Sequence, residues 1–224
     1  MKKNNSYYDE FYFAERETIP SYLVDTIKGL LKENKTKTVL EVGCGSGFLL
    51  KRLKKAGYAT EGIDISPVAA RLSGGKVGSA TKIPYKDNRF DAVLGISIIE
   101  HLSQKDGEKF IKEAKRVLKN NGLIFLVTPN FNSPNRRIKG KNWFGYSDKS
   151  HIYFYTPSSL TTVLKKFNFS DISCRFPSIT KSVEWPLPLM FKKSPIIIRK
   201  LINYLLISSP LALYRDSFWI SGKK

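Results

Sequence analysis

Three glycines at alternate positions, Gly43, Gly45 and Gly47, close the run Val39-Leu40-Glu41-Val42-Gly43-Cys44-Gly45-Ser46-Gly47-Phe48. Glycine carries no Cβ, so a turn of this kind lets bare backbone approach a ligand. The chemistry it suits is the holding of an adenosine compound or nucleotide where a strand gives way to a helix. Asp64 stands 17 residues beyond Gly47, near the spacing at which a carboxylate accepts ribose hydroxyls. The same acid could instead favour the start of the next helix by about 0.5 kcal/mol. The chain has two histidines, His101 and His151, and imidazole is the commonest general base. His151 lies among aromatic residues and is the favoured base or substrate anchor. His101 follows a strand-like run ending at Ile96 and is the second candidate. Either ring could instead pin a loop by hydrogen bonds. Trp143, Phe144, Tyr146, Tyr153 and Tyr155 are expected to wall an apolar substrate pocket, with core packing equally open as the alternative.

Several other chemistries find no support in these residues. The dinucleotide fingerprint is GxGxxG, whereas the glycines here fall at every second position. Phe48-Leu49 follows Gly47, so the Lys-Ser/Thr that anchors a triphosphate and its magnesium is absent. The two cysteines, Cys44 and Cys174, have no CxxC partner and no ligand spacing. Neither a disulfide framework nor a metal site is expected, and a reducing cytoplasm fits this usage.

The elements that must position these residues read as alternating helices and strands. Pro20–Glu33 has a helical apolar face made by Leu23, Ile27, Leu30 and Leu31. Strands are expected at Thr38–Val42, Ala59–Ile63, Asp91–Ile96 and Leu123–Thr128, with a turn at Asn121-Gly122. Helices are expected at Ser46–Ala56, from Ser66-Pro67 onward, and at Lys105–Leu118. Residues 129–156 form a long aromatic loop of a kind that usually carries function. A helix at Pro157–Phe167 and strands at Phe169–Phe176 and Asp216–Ile220 complete the pattern. Near-continuous apolar strands between helices argue for a parallel sheet covered on both faces.

The charge is +19 and uneven. Residues 1–40 carry 7 basic and 6 acidic side chains, residues 41–129 carry 15 and 9, and residues 130–224 carry 16 and 4. The surplus in the last third suggests an anionic partner, such as a membrane surface or nucleic acid, or simply a solvated basic face. Residues 177–214 are apolar and basic. The uncharged run Leu201–Tyr214, 14 residues long, is too short to span a bilayer. It suits a helix lying on the inner membrane face, or a hairpin packed on the domain.

Four stretches carry a family resemblance. "VLEVGCGSGFLLKRL" resembles motif I of class I S-adenosylmethionine-dependent methyltransferases. "EGIDISP" (61–67), "IPYKDNRFDAVLGISIIEHL" (83–102) and "LKNNGLIFLVTPN" (118–130) are similar to that family in order and spacing. "WFGYSDKSHIYFYTPSSL" (143–160) resembles a subgroup acting on small molecules, quinone precursors and glycans. The resemblance covers roughly residues 7–176 and the last strand.

It implies a Rossmann-like, doubly wound, mostly parallel seven-stranded α/β sheet with an antiparallel last strand. One domain, 1–224, would carry an N-terminal helical lid (1–34, with Tyr7, Tyr8, Phe11 and Tyr12), the loop 129–156 and the insertion 177–214. The cofactor implied is S-adenosyl-L-methionine. Gly43, Cys44, Gly45 and Gly47 would line its methionine part, and Glu41 would orient the turn. Asp64 would bind the ribose, Ile65 would pack on the adenine, and Ile96 would close the far side. Many relatives have an acid before the position of Ala80, where it holds the adenine amino group; this chain has Ser79. The activity implied is methyl transfer to a small-molecule, lipid-linked or glycan acceptor, at oxygen. The alternatives are RNA methylation and a non-catalytic scaffold. Against RNA, no Asn/Asp-Pro-Pro-aromatic motif follows Ile96.

Overall fold

The computed structural model describes residues 19–176, 195, 197, 198 and 216–224. The expected lid aromatics Tyr7, Tyr8, Phe11 and Tyr12, and nearly all of the insertion 177–214, lie outside the described residues.

Seven strands form one sheet among the described residues. They are β1 (Thr38–Val42), β2 (Ala59–Asp64), β3 (Lys76–Val77), β4 (Phe90–Ile96), β5 (Leu118–Pro129), β6 (Ser170–Arg175) and β7 (Ser217–Lys223). Their order is β3-β2-β1-β4-β5-β7-β6. β7 runs antiparallel to both β5 and β6, and every other pairing is parallel. The strand order reverses between β1 and β4. That reversal opens a crevice beyond the carboxyl ends of the strands, where open α/β sheets bind ligands.

The helices are α1 (Ser21–Glu33), α2 (Phe48–Lys55), α3 (Pro67–Ser73), α4 (Gln104–Val117), α5 (Pro134–Lys139) and α6 (Pro157–Lys166). Alternation along each strand divides the core between the two sheet faces. Val39 of β1 joins Leu23, Ile27 and Leu31 of α1 and Leu49 and Leu53 of α2 on one face. Leu40 and Val42 join Phe110, Ala114 and Val117 of α4 and Leu160 and Leu164 of α6 on the other. The helix starts follow their sequence signals. Ser66 Oγ accepts from Ala69 N, and Pro67 takes the first turn of α3. Thr156 and Ser159 form a capping box at α6.

Three differences from the sequence reading have local causes. β3 has only two residues, too few for a period-2 pattern to register. Asn121-Gly122 does not separate two elements. It lies in an irregularity within one long strand, where the pairing steps from Phe90–Leu118 to Ala92–Leu123. Asn121 takes the left-handed conformation there (φ 61°), which asparagine tolerates better than most residues. The loop 129–156 is not structureless: α5 and two short 3₁₀ turns, Gly140–Asn142 and Phe144–Tyr146, lie within it.

That loop is clamped to β7 by one buried acid. Asp216 is 2% exposed. It accepts from Ser133 Oγ, from Trp143 Nε1 at 3.0 Å and from Asn135 Nδ2 at 2.9 Å. Its carbonyl accepts from Asn130 N at 2.8 Å. Trp143 was expected to face an acceptor. It is fully buried instead, because its indole N–H needs this partner and its rings fill the space beneath the loop.

Candidate active site

The glycine turn has the geometry its spacing implies. Gly43, Gly45 and Gly47 have φ of 74°, 51° and 77°, a region that costs an L-residue about 1–2 kcal/mol. A Cβ on Gly43 would stand 2.9 Å from Ile98 Cδ1, and one on Gly47 would stand 2.7 Å from the Ser73 Cα. Gly43 N and Cys44 N donate to the Ile63 carbonyl at 2.8 and 3.1 Å. Gly45 N donates to Asp64 Oδ2 at 3.0 Å, and Ser66 N donates to Asp64 Oδ1 at 2.9 Å. Asp64 thus holds the turn at the end of β2. Burial raises its carboxyl against the pull of the Ser66 and Gly45 amides.

Glu41 lies below the turn, 3% exposed, and its Oε2 has no partner among the described residues. Burial, with the nearby Asp64 charge, pushes its pKa up to about 8. The folded protein therefore keeps a proton here that the unfolded chain loses above about pH 4.5. Stability from this residue falls as pH rises through that window. We expect the thermal midpoint of the wild type to decline relative to Glu41→Gln as pH rises from about 5 to 9. Parallel pH profiles for the two proteins would contradict this. Cys44 is buried beside Ser73, with Sγ 3.4 Å from Ser73 Oγ. Burial pushes its thiol up to about 12, so it is no nucleophile at neutral pH.

A cavity of about 620 Å³ runs from this turn along the ends of β1 and β4. Its volume lies in the range of small-molecule and cofactor sites. Glu41, Gly43, Cys44, Gly45, Asp64, Ile65, Ser79, Ala80 and Ile96 all line it. Gly47, the left-handed N-cap residue of α2, is not part of this lining. Ile65 is 63% exposed, an uncovered apolar side chain at the rim. Ser79 Oγ lies 2.9 Å from Thr81 Oγ1 and accepts from Thr81 N at 3.2 Å. The near wall comes from Ile19, Tyr22 and Leu23, at and just before the start of α1. An adenosyl donor fits this end: bare backbone, a carboxylate at a strand end and an open apolar rim.

The opposite end of the cavity holds Phe144, Asp148, Glu100, His101 and His151. Ile152 N and Tyr153 N donate to the Glu100 carbonyl at 2.8 and 3.2 Å. These bonds bring the two histidines together, ring centroids 4.7 Å apart, although 50 residues separate them in sequence. His151 Nδ1 lies 2.6 Å from the Gly145 carbonyl, which can only accept, so Nδ1 carries the proton. Ser150 Oγ donates to Asp148 Oδ1 at 2.6 Å and lies 2.8 Å from His101 Nδ1. Its one proton is used on the acid, so His101 Nδ1 donates to it. With Nδ1 protonated in this way, the neutral form of each ring carries its lone pair on Nε2. Burial raises Asp148, but the Ser150 hydroxyl and amide and the two histidines outweigh it and bring its carboxyl down to about 2.

Glu100 is fully buried. One oxygen accepts from Thr128 Oγ1 at 3.1 Å, and Oε1 has no partner among the described residues. Burial pushes its pKa up to about 7. Ser97, at the end of β4, holds φ 51°, an uncommon conformation for a non-glycine residue and one that recurs at functional sites.

Three further expected acceptor-pocket residues are absent from this lining. Tyr146 is 38% exposed and packs edge-on to Trp143 and Phe154. Tyr153 and Tyr155 pack against each other and the core. Aromatic content marked the loop but could not tell which rings face inward; Phe144 does. Sequence reasoning also passed over Glu100 and Ser150 and noted Asp148 only as a neighbour of His151 in sequence. The Glu-His pair at 100–101 follows the strand in sequence, but nothing in the sequence marks Glu100 as fully buried.

Residues 13–173 match a family model described as a methyltransferase domain. The chain belongs to the methyltransferase domain family. The methyltransferase is 30% identical over 223 residues to an uncharacterized protein of Methanocaldococcus jannaschii, covering 91% of this chain and 88% of that one. It is 31% identical over 157 residues to the ubiquinone biosynthesis O-methyltransferase of Pelagibacter ubique, covering 62% of this chain and 64% of that one. With the ajmaline N-methyltransferase of Rauvolfia serpentina it shares 37% identity over 110 residues, 43% of this chain and 37% of that one. The chain thus spans less than two thirds of the last two enzymes. A crystal structure of a SAM-dependent methyltransferase from Archaeoglobus fulgidus shares the fold at a TM-score of 0.66 and 22% identity, covering 96% of this chain and 100% of that one. The chain thus carries a methyltransferase domain with a Rossmann-like fold. Among the described residues, no helix is long and apolar enough to cross a membrane.

Proposed function

We propose that the methyltransferase acts on a hydroxyl oxygen of a small molecule seated at the His101–His151 end of the cavity. One observation carries this reading. A single cavity joins the glycine turn and Asp64 to two imidazoles whose lone-pair nitrogens are fixed by their Nδ1 bonds. The printed activities of relatives support it: ubiquinone biosynthesis O-methyltransferases, and the tocopherol O-methyltransferase of Arabidopsis thaliana. Against it stand two relatives from Rauvolfia serpentina that are N-methyltransferases.

In this reading Gly43, Cys44 and Gly45 present bare backbone to the cofactor, Gly47 lets the turn pack against Ser73, and Glu41 lies beneath them. Asp64 accepts the ribose hydroxyls, Ile65 covers one adenine face, and Ser79 and Ala80 meet its edge. Ile96 and Ile98 close the side toward the acceptor. S-adenosylmethionine supplies an activated methyl group, so the protein's main task is alignment. His101 and His151 offer acceptors to the substrate hydroxyl and orient its oxygen. Asp148 and Ser150 fix the ring of His101, and Phe144 supplies an apolar wall.

The test is turnover with labelled cofactor against matched phenolic and amine acceptors. The phenols are expected to be methylated and the amines not. His151→Ala is expected to lower kcat at least about 10-fold, as loss of alignment does, while cofactor Kd stays within about twofold. Transfer to amines alone, or an unchanged kcat in the variant, would overturn the assignment.

A further inference from the structure

We propose that Glu100, His101 and His151 together hold a divalent transition-metal cation at the acceptor end of the cavity. The inference rests on the reading of that end as the acceptor site; with the cation bound, the two imidazoles would act on the substrate oxygen through the metal rather than accept its proton directly, and this bears on which atom is methylated. One side-chain ligand atom from each residue lies within 4.8 Å of the others. Ligands about 2.1 Å from one ion stand about 3–3.5 Å apart, so small side-chain rotations of around 1 Å suffice to close the site.

Three further observations on these residues point the same way. Glu100 is completely buried, and its Oε1 has no partner among the described residues. A dry, unpaired carboxylate oxygen is costly unless something meets it. Its other oxygen is held by Thr128 Oγ1. His151 donates its Nδ1–H to the Gly145 carbonyl, and His101 donates its own to Ser150, which is tied to Asp148. A metal-ligating histidine characteristically donates its other ring N–H to a carbonyl or to a carboxylate-linked group, which fixes the ring and its tautomer. Both histidines meet that condition, by way of different partners.

The donor set selects the cation. Two imidazoles and one carboxylate suit Zn²⁺, Fe²⁺, Mn²⁺ or Co²⁺, whereas Mg²⁺ and Ca²⁺ prefer all-oxygen sites. Three protein ligands leave at least one position open, and all three residues line the cavity. A substrate hydroxyl coordinating there would release its proton to solvent. As the O–CH₃ bond forms, the S–CH₃ bond breaks and its electron pair stays on sulfur. An acidified hydroxyl oxygen favours oxygen over nitrogen as the methylated atom.

The test uses the full chain, stripped with chelator and titrated with Zn²⁺ by calorimetry and with Co²⁺ by visible absorption. One equivalent of Zn²⁺ is expected to bind with Kd below about 10 μM, and Mg²⁺ is not expected to compete. Co²⁺ is expected to give ligand-field bands. Glu100→Gln and His151→Ala are each expected to weaken binding at least about 10-fold. Thermal melts show whether each variant folds, and the Glu100→Gln isostere guards against a packing artefact. Absence of saturable Zn²⁺ binding to the wild type, or affinity unchanged in both folded variants, would overturn the site. Calorimetry with S-adenosylmethionine on the same samples separates the two readings. Cofactor binding and turnover without cation binding overturn this inference and leave the proposed function standing. Failure of the wild type to bind the cofactor overturns the proposed function itself.

Discussion

Asp64→Asn is expected to weaken S-adenosylmethionine binding about 100-fold, with little loss of stability. A carboxylate offers four lone-pair positions on two oxygens. In this protein Gly45 N and Ser66 N take one position on each oxygen. The remaining capacity faces the cavity, where two ribose hydroxyls can donate to an ionised acceptor. An amide has one acceptor oxygen and two N–H donors of its own. One hydroxyl bond is therefore lost, and the other loses its charge assistance, together worth about 2–3 kcal/mol. Stability responds differently. Burial already opposes the charged form of Asp64, so removing the charge relieves a penalty while the amide oxygen still serves one backbone amide. Calorimetric titration and a thermal melt on the same sample read both effects. A variant with wild-type cofactor affinity would remove Asp64 from the site. One that fails to fold would show Asp64 to be a structural residue.

The second large effect concerns the loop clamp. Asp216→Ala is expected to destabilise the protein by about 3–5 kcal/mol. Three side-chain donors lose their acceptor at once: Ser133 Oγ, Asn135 Nδ2 and Trp143 Nε1. Ser133 and Trp143 are 1% and 0% exposed, so water does not reach them without opening the loop. Each stranded donor costs about 1–3 kcal/mol. In a protein of this size the thermal midpoint is expected to fall by roughly 10 °C. Asp216→Asn keeps one acceptor oxygen and is expected to lose about half as much. The functional damage is expected on the acceptor side, since the freed loop carries Phe144, Asp148 and His151. A rise in acceptor KM with unchanged cofactor affinity checks that division. A change in midpoint below about 2 °C would show that the clamp is replaceable.

These two acids show how unevenly the molecule could be read from its sequence. The position of Asp64 was legible because it follows from local order: strand, glycine turn, helix, strand, then an acid. The motif and the sheet topology place it in the crevice without further information. Asp216 was not legible, because its partners lie 73 to 83 residues away and only tertiary packing gathers them. The histidines fall between these cases. Each could be singled out by its chemistry, but their pairing depends on two backbone bonds to the Glu100 carbonyl. Those bonds leave no trace in side-chain identity. Trp143 was misread for a related reason: a buried indole with a satisfied N–H and an exposed substrate platform have the same one-letter code.

The segment from Asn130 to Tyr155 leaves and rejoins the body at one place, where the two residues form an isolated bridge and Phe131 N donates to the Tyr155 carbonyl at 2.9 Å. A chain excursion whose ends touch can be swapped whole without disturbing what lies outside it. In the proposed reading, Phe144, Asp148 and His151 of the acceptor end thus sit on a self-closed cassette, while Glu100, His101 and the cofactor residues belong to the permanent frame. Descendants of such a scaffold can diversify their chemistry by recombining a single stretch, provided Ser133, Asn135 and Trp143 travel with it to greet Asp216.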